Sequence, residues 1–154
     1  ASEVSKISSI DVSCESIGPA GAKVIGEALR TSVNSALTSL NVGWNELTEE
    51  AALGIVRAAR QQDKMTSLDL SKCGIGASGA REIADYVRVS SVLTSVDLGN
   101  NWIRDEGAKA IAGALEVNSV LTSLNLEYNQ MQIGDGKAAL REIAKGRPSL
   151  TLKL

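Results

Sequence analysis

The stretch CGIGASGA at residues 73–80 sets Gly74, Gly76 and Gly79 at the spacing G-x-G-x-x-G. Glycines so spaced bring backbone against a pyrophosphate at a helix N-terminus, and a carboxylate further along holds the ribose. The surroundings fit that chemistry: MTSLDL reads as a strand, AREIADYV as a helix, and Asp97 stands about 20 residues further on. Other reactive groups are scarce. The chain has no His, which removes the commonest general base and neutral metal ligand and with it any Ser-His-Asp or Cys-His arrangement. No G-x-x-x-x-G-K-[ST] string occurs.

The elements that would position these glycines recur along the whole chain. ISSIDVSCESI, LTSLNVGWNEL, MTSLDLSKCGI, LTSVDLGNNWI and LTSLNLEYNQM start at residues 7, 37, 65, 93 and 121, in steps of 30, 28, 28 and 28. Each has apolar residues at fixed places around one polar slot, which holds Asn45, Asn101 and Asn129, with Cys73 as an alternative and Glu15 as a departure. The second halves agree as well: GPAGAKVIGEALR, TEEAALGIVRAAR, GASGAREIADYVR, RDEGAKAIAGALE and GDGKAALREIAK carry Ile25, Ile55, Ile83 and Ile111 at one offset, with Ala beside them at helical spacing.

The pattern is identified as that of leucine-rich repeats, and its 28-residue period and helices of the DEGAKAIAGAL kind resemble the ribonuclease-inhibitor-like subfamily over about residues 7–149. That resemblance implies an α/β solenoid, a right-handed horseshoe segment of about five repeats with parallel strands on the concave face and helices on the convex face. It also implies a protein partner, since relatives include an inhibitor, receptor sensing domains, an actin regulator and an activator of a small GTPase. We read residues 1–154 as a single domain in which Leu150, Leu152 and Leu154 form a partial strand over 150–154. Solenoids need polar terminal caps. Both ends look uncapped, so the expectation is a fragment of a longer protein or an edge that pairs with another chain.

The register also reinterprets the glycines. Gly79 has counterparts in Gly21 and Gly107, where it admits a tight approach at the helix start, whereas Gly74 aligns with Glu46 and Trp102, and Gly76 with Thr48 and Arg104. A dinucleotide crevice could not accept those side chains. No cofactor or metal is expected.

Alternation on the strands puts Asp11, Asn41, Asp69, Asp97 and Asn125 on the concave face, with Ser9, Ser39, Ser67, Ser95 and Ser123 two residues before them. Asp69 and Asp97 should lie about 5 Å apart, near the spacing of paired catalytic carboxylates, but an open sheet does not exclude water, and the expectation is a solvated ladder shared with Asn neighbours. Residues vary just beyond the strands: Cys14, Trp44, Lys72, Asn100 and Tyr128 precede the polar slot, and Ser16, Glu46, Gly74, Trp102 and Gln130 follow it. Three of the four aromatic residues therefore fall where the repeat demands nothing apolar, and Trp and Tyr dominate binding hot spots. Tyr86, on a helix, is assigned to packing. Each rim ring could instead lie over its neighbouring turn.

A net charge of −2 argues against nucleic acid, no apolar run reaches the length of a membrane span, and two thiols, Cys14 and Cys73, fit a reducing cytoplasm as free cysteines. The sequence thus points to a non-catalytic protein-binding scaffold. Its candidate site residues are Trp44, Trp102, Tyr128, Asp11, Asp69, Asp97, Glu127 and Lys72, with Lys109 on the helical side as a neutral reference. Alternatives are a solenoid regulating a small GTPase, an actin-regulator-like module, an engineered repeat, and self-association through the ends.

Overall fold

A computed structural model describes residues 7–32, 36–132 and 134–154. Strands and helices alternate as β1 (Ser9–Asp11), α1 (Gly18–Thr31), β2 (Ser39–Asn41), α2 (Glu49–Gln62), β3 (Ser67–Asp69), α3 (Ala77–Val89), β4 (Ser95–Asp97), α4 (Arg104–Val117), β5 (Ser123–Asn125), α5 (Asp135–Lys145) and β6 (Thr151–Lys153). The six strands form one parallel sheet in chain order, with Ser9, Ser39, Ser67, Ser95, Ser123 and Thr151 aligned as Cα partners. This is the leucine-rich repeat solenoid anticipated from the repeat, in the expected register.

In each of the inner three-residue strands the central residue points inward. Leu40, Leu68, Val96 and Leu124 are buried there, and Val42, Leu70, Leu98 and Leu126 are buried two residues later. The helices close the layer with Ala52, Ala80 and Ala108, whose small size lets neighbouring helices approach, and with Ile55, Ile83 and Ile111. Tyr86 is fully buried on α3, as assigned. Strands about 4.8 Å apart on one side and helices needing about 8–10 Å on the other make the stack curve.

Polar ladders fasten one repeat to the next. Asn101 donates from Nδ2 to the carbonyls of Leu70 and Leu98, each at 3.0 Å, while its Oδ1 accepts the N–H groups of Cys73 and Ile75 at 3.0 and 2.9 Å. Asn45 and Asn129 bridge their repeats in the same way. Cys73, in the same slot, offers only weak contacts from Sγ to the carbonyls of Val42 and Ser71. A second ladder was not foreseen: the hydroxyls of Thr66 and Thr94 each donate at 3.0 Å to the carbonyl of the threonine one repeat earlier. Behind the strands, Asp63 accepts the Ser90 hydroxyl at 2.5 Å, Asn118 donates to the Ser90 carbonyl at 3.0 Å, and Arg147 donates to the Asn118 carbonyl at 2.6 Å.

Candidate functional site

The glycine string is an anion site, and the protein fills it. Glu49, at the start of α2, places Oε1 against the N–H groups of Gly76 and Gly79 at the N-terminus of α3, at 2.8 and 2.9 Å. A free helix start attracts negative charge, and here the preceding helix supplies it. The device returns two repeats later, where Asp105 of α4 accepts the N–H of Gly136 at 2.8 Å. The approach is close: a Cβ on Gly79 would come within 2.4 Å of Glu49 Oε1, which would have to move, and one on Gly136 would meet the Asp105 backbone carbonyl at 2.4 Å, where only glycine fits. Gly74 is the only one of the three glycines in the string with a positive φ, 71°.

Asp105 also meets Lys109, whose Nζ lies 3.2 Å from Asp105, 3.6 Å from Glu106 and 3.8 Å from Asp135. Lys109 thus supplies a counter-charge to the carboxylate that caps α5, so its removal bears on folding, whatever it does to partner binding. Burial would raise the Asp105 pKa, but the Gly136 amide and Lys109 outweigh it and hold the carboxyl below its ordinary value.

On the strand face, Asp11, Asn41, Asp69, Asp97 and Asn125 stand in one column, and β6 adds Lys153. Every Asp and Asn in it turns the chain. Their Oδ1 atoms accept the N–H two residues on, at 2.9 Å from Ser13, Gly43 and Ser71, 2.8 Å from Gly99 and 3.0 Å from Glu127. Both residue types serve because a single side-chain oxygen suffices. Along the column the amides pair with carboxylates: Asn125 Nδ2 lies 3.0 Å from Asp97 Oδ2 and Asn41 Nδ2 lies 3.4 Å from Asp11 Oδ2. The ladder with Asn neighbours is thus present, and the turn-forming role comes in addition to it. The Ser13 hydroxyl and N–H, with Asn41 adding less, hold the Asp11 carboxyl below its usual range against a small opposing effect of burial. Asp69 and Asp97 are register partners.

The rim begins where the backbone turns left-handed. Cys14, Trp44, Lys72, Asn100 and Tyr128 have φ of 58°, 59°, 47°, 57° and 58°, a region that disfavours side chains. The ladder imposes it: the N–H groups of Trp44, Lys72 and Asn100 donate to carbonyls of the following repeat at 2.9, 3.0 and 2.9 Å. Next in sequence, the buried Asn45, Asn101 and Asn129 lock the turns at Trp44, Asn100 and Tyr128. Trp44 and Tyr128 are thereby turned outward, 45% and 76% exposed. Lys72 reaches back so that its Nζ lies 4.4 Å from the centre of the Trp44 ring, a cation–π pair that fixes both side chains.

Trp102 is different. It belongs to the column after the polar slot, where Ser16, Glu46, Gly74 and Gln130 have positive φ and Trp102 does not. Its N–H donates to the Ile75 carbonyl at 2.7 Å, making a parallel bridge with Gly76, and the residue is 52% exposed. The two tryptophans thus stand in neighbouring columns on different backbones. Glu127 is half-buried at the C-terminal end of the column that holds Ser13, Gly43, Ser71 and Gly99. Sequence reasoning missed Lys153 in the acidic column; setting SLTLKL under LTSLNL of residues 121–126 places Lys153 under Asn125. It also missed Glu49 and Asp105, whose partners lie in the next repeat.

Among the described residues, no helix is long and apolar enough to cross a membrane. Cys14 is exposed and Cys73 buried, both unpaired, and burial, helped by Asp69, pushes the Cys73 thiol up to about 12.

Residues 33–56, 63–84, 89–112 and 117–136 match the family model described as Leucine Rich repeat. Among solved structures, the chain is similar to actin-binding site 2 of leiomodin-1, with 21% identity and a TM-score of 0.73 over 84% of this chain and 76% of that one. It is also similar to the C-terminal domain of tropomodulin from Caenorhabditis elegans, with 16% identity and a TM-score of 0.73 over 86% of this chain and 80% of that one. At these identities the likeness is one of fold. A search of curated proteins finds no match.

Proposed function

The chain belongs to the leucine-rich repeat family, and on that premise we propose that it is a non-catalytic scaffold of a reducing, cytoplasmic compartment that holds a protein partner against its concave face. Trp44, Trp102 and Tyr128 are the anchors, Lys72 steadies Trp44, and Asp11, Asp69, Asp97 and Glu127 give the face its negative charge. One observation carries the reading. Trp44 and Tyr128 are held outward on turns locked by the buried Asn45 and Asn129, and Trp102 by its own bridge to the preceding repeat, so little backbone ordering remains to be done on binding. The carboxylates favour a partner with basic groups and speed its approach.

Capture of a partner by the immobilised chain, compared between the native protein and the double variant Trp44→Ala, Trp102→Ala, tests this. A partner held by the native chain and lost by the variant supports the concave rim; equal capture by both moves recognition elsewhere.

A second reading, actin binding, is favoured by one likeness, to a domain of leiomodin-1 named as an actin-binding site. Sedimentation with filamentous actin, and a shift of monomeric actin in gel filtration, decide it. Absence of both effects removes actin and leaves the first reading in place.

A further inference from the structure

The helices of the solenoid are unevenly spaced, and we propose that Tyr86 is a spacer: its ring holds the C-terminal halves of α2 and α3 apart and so sets how sharply the concave face bends between the second and third repeats. The proposal goes beyond the rim reading and does not depend on it.

Three of the four helix joints close on small residues. The backbones of α1 and α2, of α3 and α4 and of α4 and α5 approach one another closely, while those of α2 and α3 stand farther apart. A Cβ added to Gly26 would meet the Gly54 carbonyl at 3.4 Å, one on Gly107 the Ala80 side chain at 2.8 Å and one on Gly136 the Ala108 side chain at 2.9 Å. Between α2 and α3 larger side chains fill the gap instead. Glu49 stands at one end against Gly79, and the Arg57 guanidinium reaches Glu82 at 2.7 Å in the middle. Tyr86 closes the other end.

Tyr86 departs from its own column. The same place in the helices on either side is Ala58 and Ala114, 28 residues before and after it, and all three are buried. In the α1–α2 joint Ala58 lets the helices close, leaving a cavity of about 10 Å³ beside Leu29, Ala59 and Met65. A tyrosine ring does not fit in such a space. Burial, and after it the carboxylate of Asp63 at the end of α2, push the Tyr86 phenol above its usual pKa, so the ring faces the preceding helix as Ala58 faces Leu29. The sheet turns this extra separation into an angle. Because β2 and β3 stay paired in register at the strand spacing of about 4.8 Å, spreading α2 from α3 on the far side rotates one repeat against the next. Trp44 and Lys72 meet across this same joint, which puts the bend between Trp44 and Trp102.

Double electron–electron resonance between spin labels tests it, in a Cys14→Ser background that leaves only the buried Cys73. One protein carries labels at Gln61→Cys and Val117→Cys, spanning α2 to α4, and a second at Val89→Cys and Lys145→Cys, spanning α3 to α5. All four sites are exposed near the C-terminal ends of their helices, 28 residues apart in turn. With Tyr86 present the α2–α4 distance should be the longer. Tyr86→Ala should shorten it by about 2 Å, the range over which side chains set interaxial distances, and leave the α3–α5 distance unchanged. Tyr86→Phe keeps the bulk and should shift neither. Thermal melting checks that each variant folds, and Tyr86→Leu, expected to shift the α2–α4 distance the same way, keeps the test usable if Tyr86→Ala does not fold. Equal distances with Tyr86 present overturn the proposal. So does a folded Tyr86→Ala or Tyr86→Leu chain whose α2–α4 distance stays as it was, or one in which both distances shorten alike. No partner enters these measurements, so the rim reading stands or falls apart from them.

Discussion

The Oε1 atom of Glu49 accepts the N–H of Gly79 at 2.9 Å across the boundary between two repeats. The same oxygen takes the Gly76 N–H, so the place where a pyrophosphate would sit on a free helix start is occupied by a carboxylate of the chain. Glu49→Ala should lower stability by about 2 kcal/mol, the scale of hydrogen bonds to a charged group. Gly79→Ala should destabilise as well, and less in the Glu49→Ala background, because much of its clash is with Oε1. Urea denaturation of the four proteins measures both effects; strictly additive losses would show that the carboxylate is not what confines Gly79. Gly76→Arg should fold, since φ is −95° and a Cβ there meets Glu49 only at 3.5 Å. Saturable NAD binding by calorimetry, lost in that variant, would return the string to nucleotide chemistry.

The polar slot allows a prediction in each direction. Asn101→Ala would leave two buried N–H groups and two carbonyls without their partner and should cost about 3 kcal/mol or more. Cys73→Asn should complete the ladder in the one buried slot that lacks it and raise stability by about 1 kcal/mol. A destabilised Cys73→Asn chain would mean that the third repeat has closed around sulfur.

Thiol chemistry follows from the same burial. Cys14 is exposed and should react with a thiol reagent in the native chain, while Cys73, buried and with its pKa pushed up to about 12, should react only on unfolding. Denaturation without reductant should then give two titratable thiols in all. A native Cys73 that reacts as fast as Cys14 would contradict the packed third repeat.

At the rim, Trp44→Ala or Trp102→Ala should weaken partner binding by about 2 kcal/mol, roughly thirtyfold. For Trp44 the stability change should stay below about 1 kcal/mol, since the substitution chiefly removes the exposed cation–π pair with Lys72. Charge on the face is better probed by Asp69→Asn and Asp97→Asn than by reversal, because an amide oxygen still accepts from Ser71 and Gly99 as Asn41 and Asn125 do in their own turns. These variants should slow association and flatten its salt dependence with little change in melting. Lys23, exposed on α1, replaces Lys109 as the neutral control.

Asp105 should give part of the chain's stability an acid limit. Its pKa is lower folded than unfolded, so its contribution is present above the ordinary carboxylate range and disappears as pH falls through the folded value. Asp105→Asn should therefore be less stable than the native chain at pH 7. The difference should shrink as pH falls through about 4 towards about 2. Melting curves across that interval test the sign, and a gap that widened in acid would reverse it.

The sequence by itself determined the architecture, because a 28-residue period leaves little freedom. Leu40, Leu68, Val96 and Leu124 must share one column if their repeats are equivalent, and equivalence was legible in the spacing alone. The candidate rim was legible too, as the positions where Trp44, Trp102 and Tyr128 break the pattern. Tertiary structure alone decided what passes between repeats. Glu49 and Gly79 stand 30 residues apart, as Asp105 and Gly136 stand 31 apart, and nothing in either local stretch announces a cap supplied by the previous helix. Left-handed backbone at Trp44 and Lys72, but not at Trp102, arises likewise from bonds to the next strand. One-dimensional patterning reports which side chains face inward; where a carboxylate ends up, and how a tryptophan is held, depends on neighbours that meet only when the repeats stack.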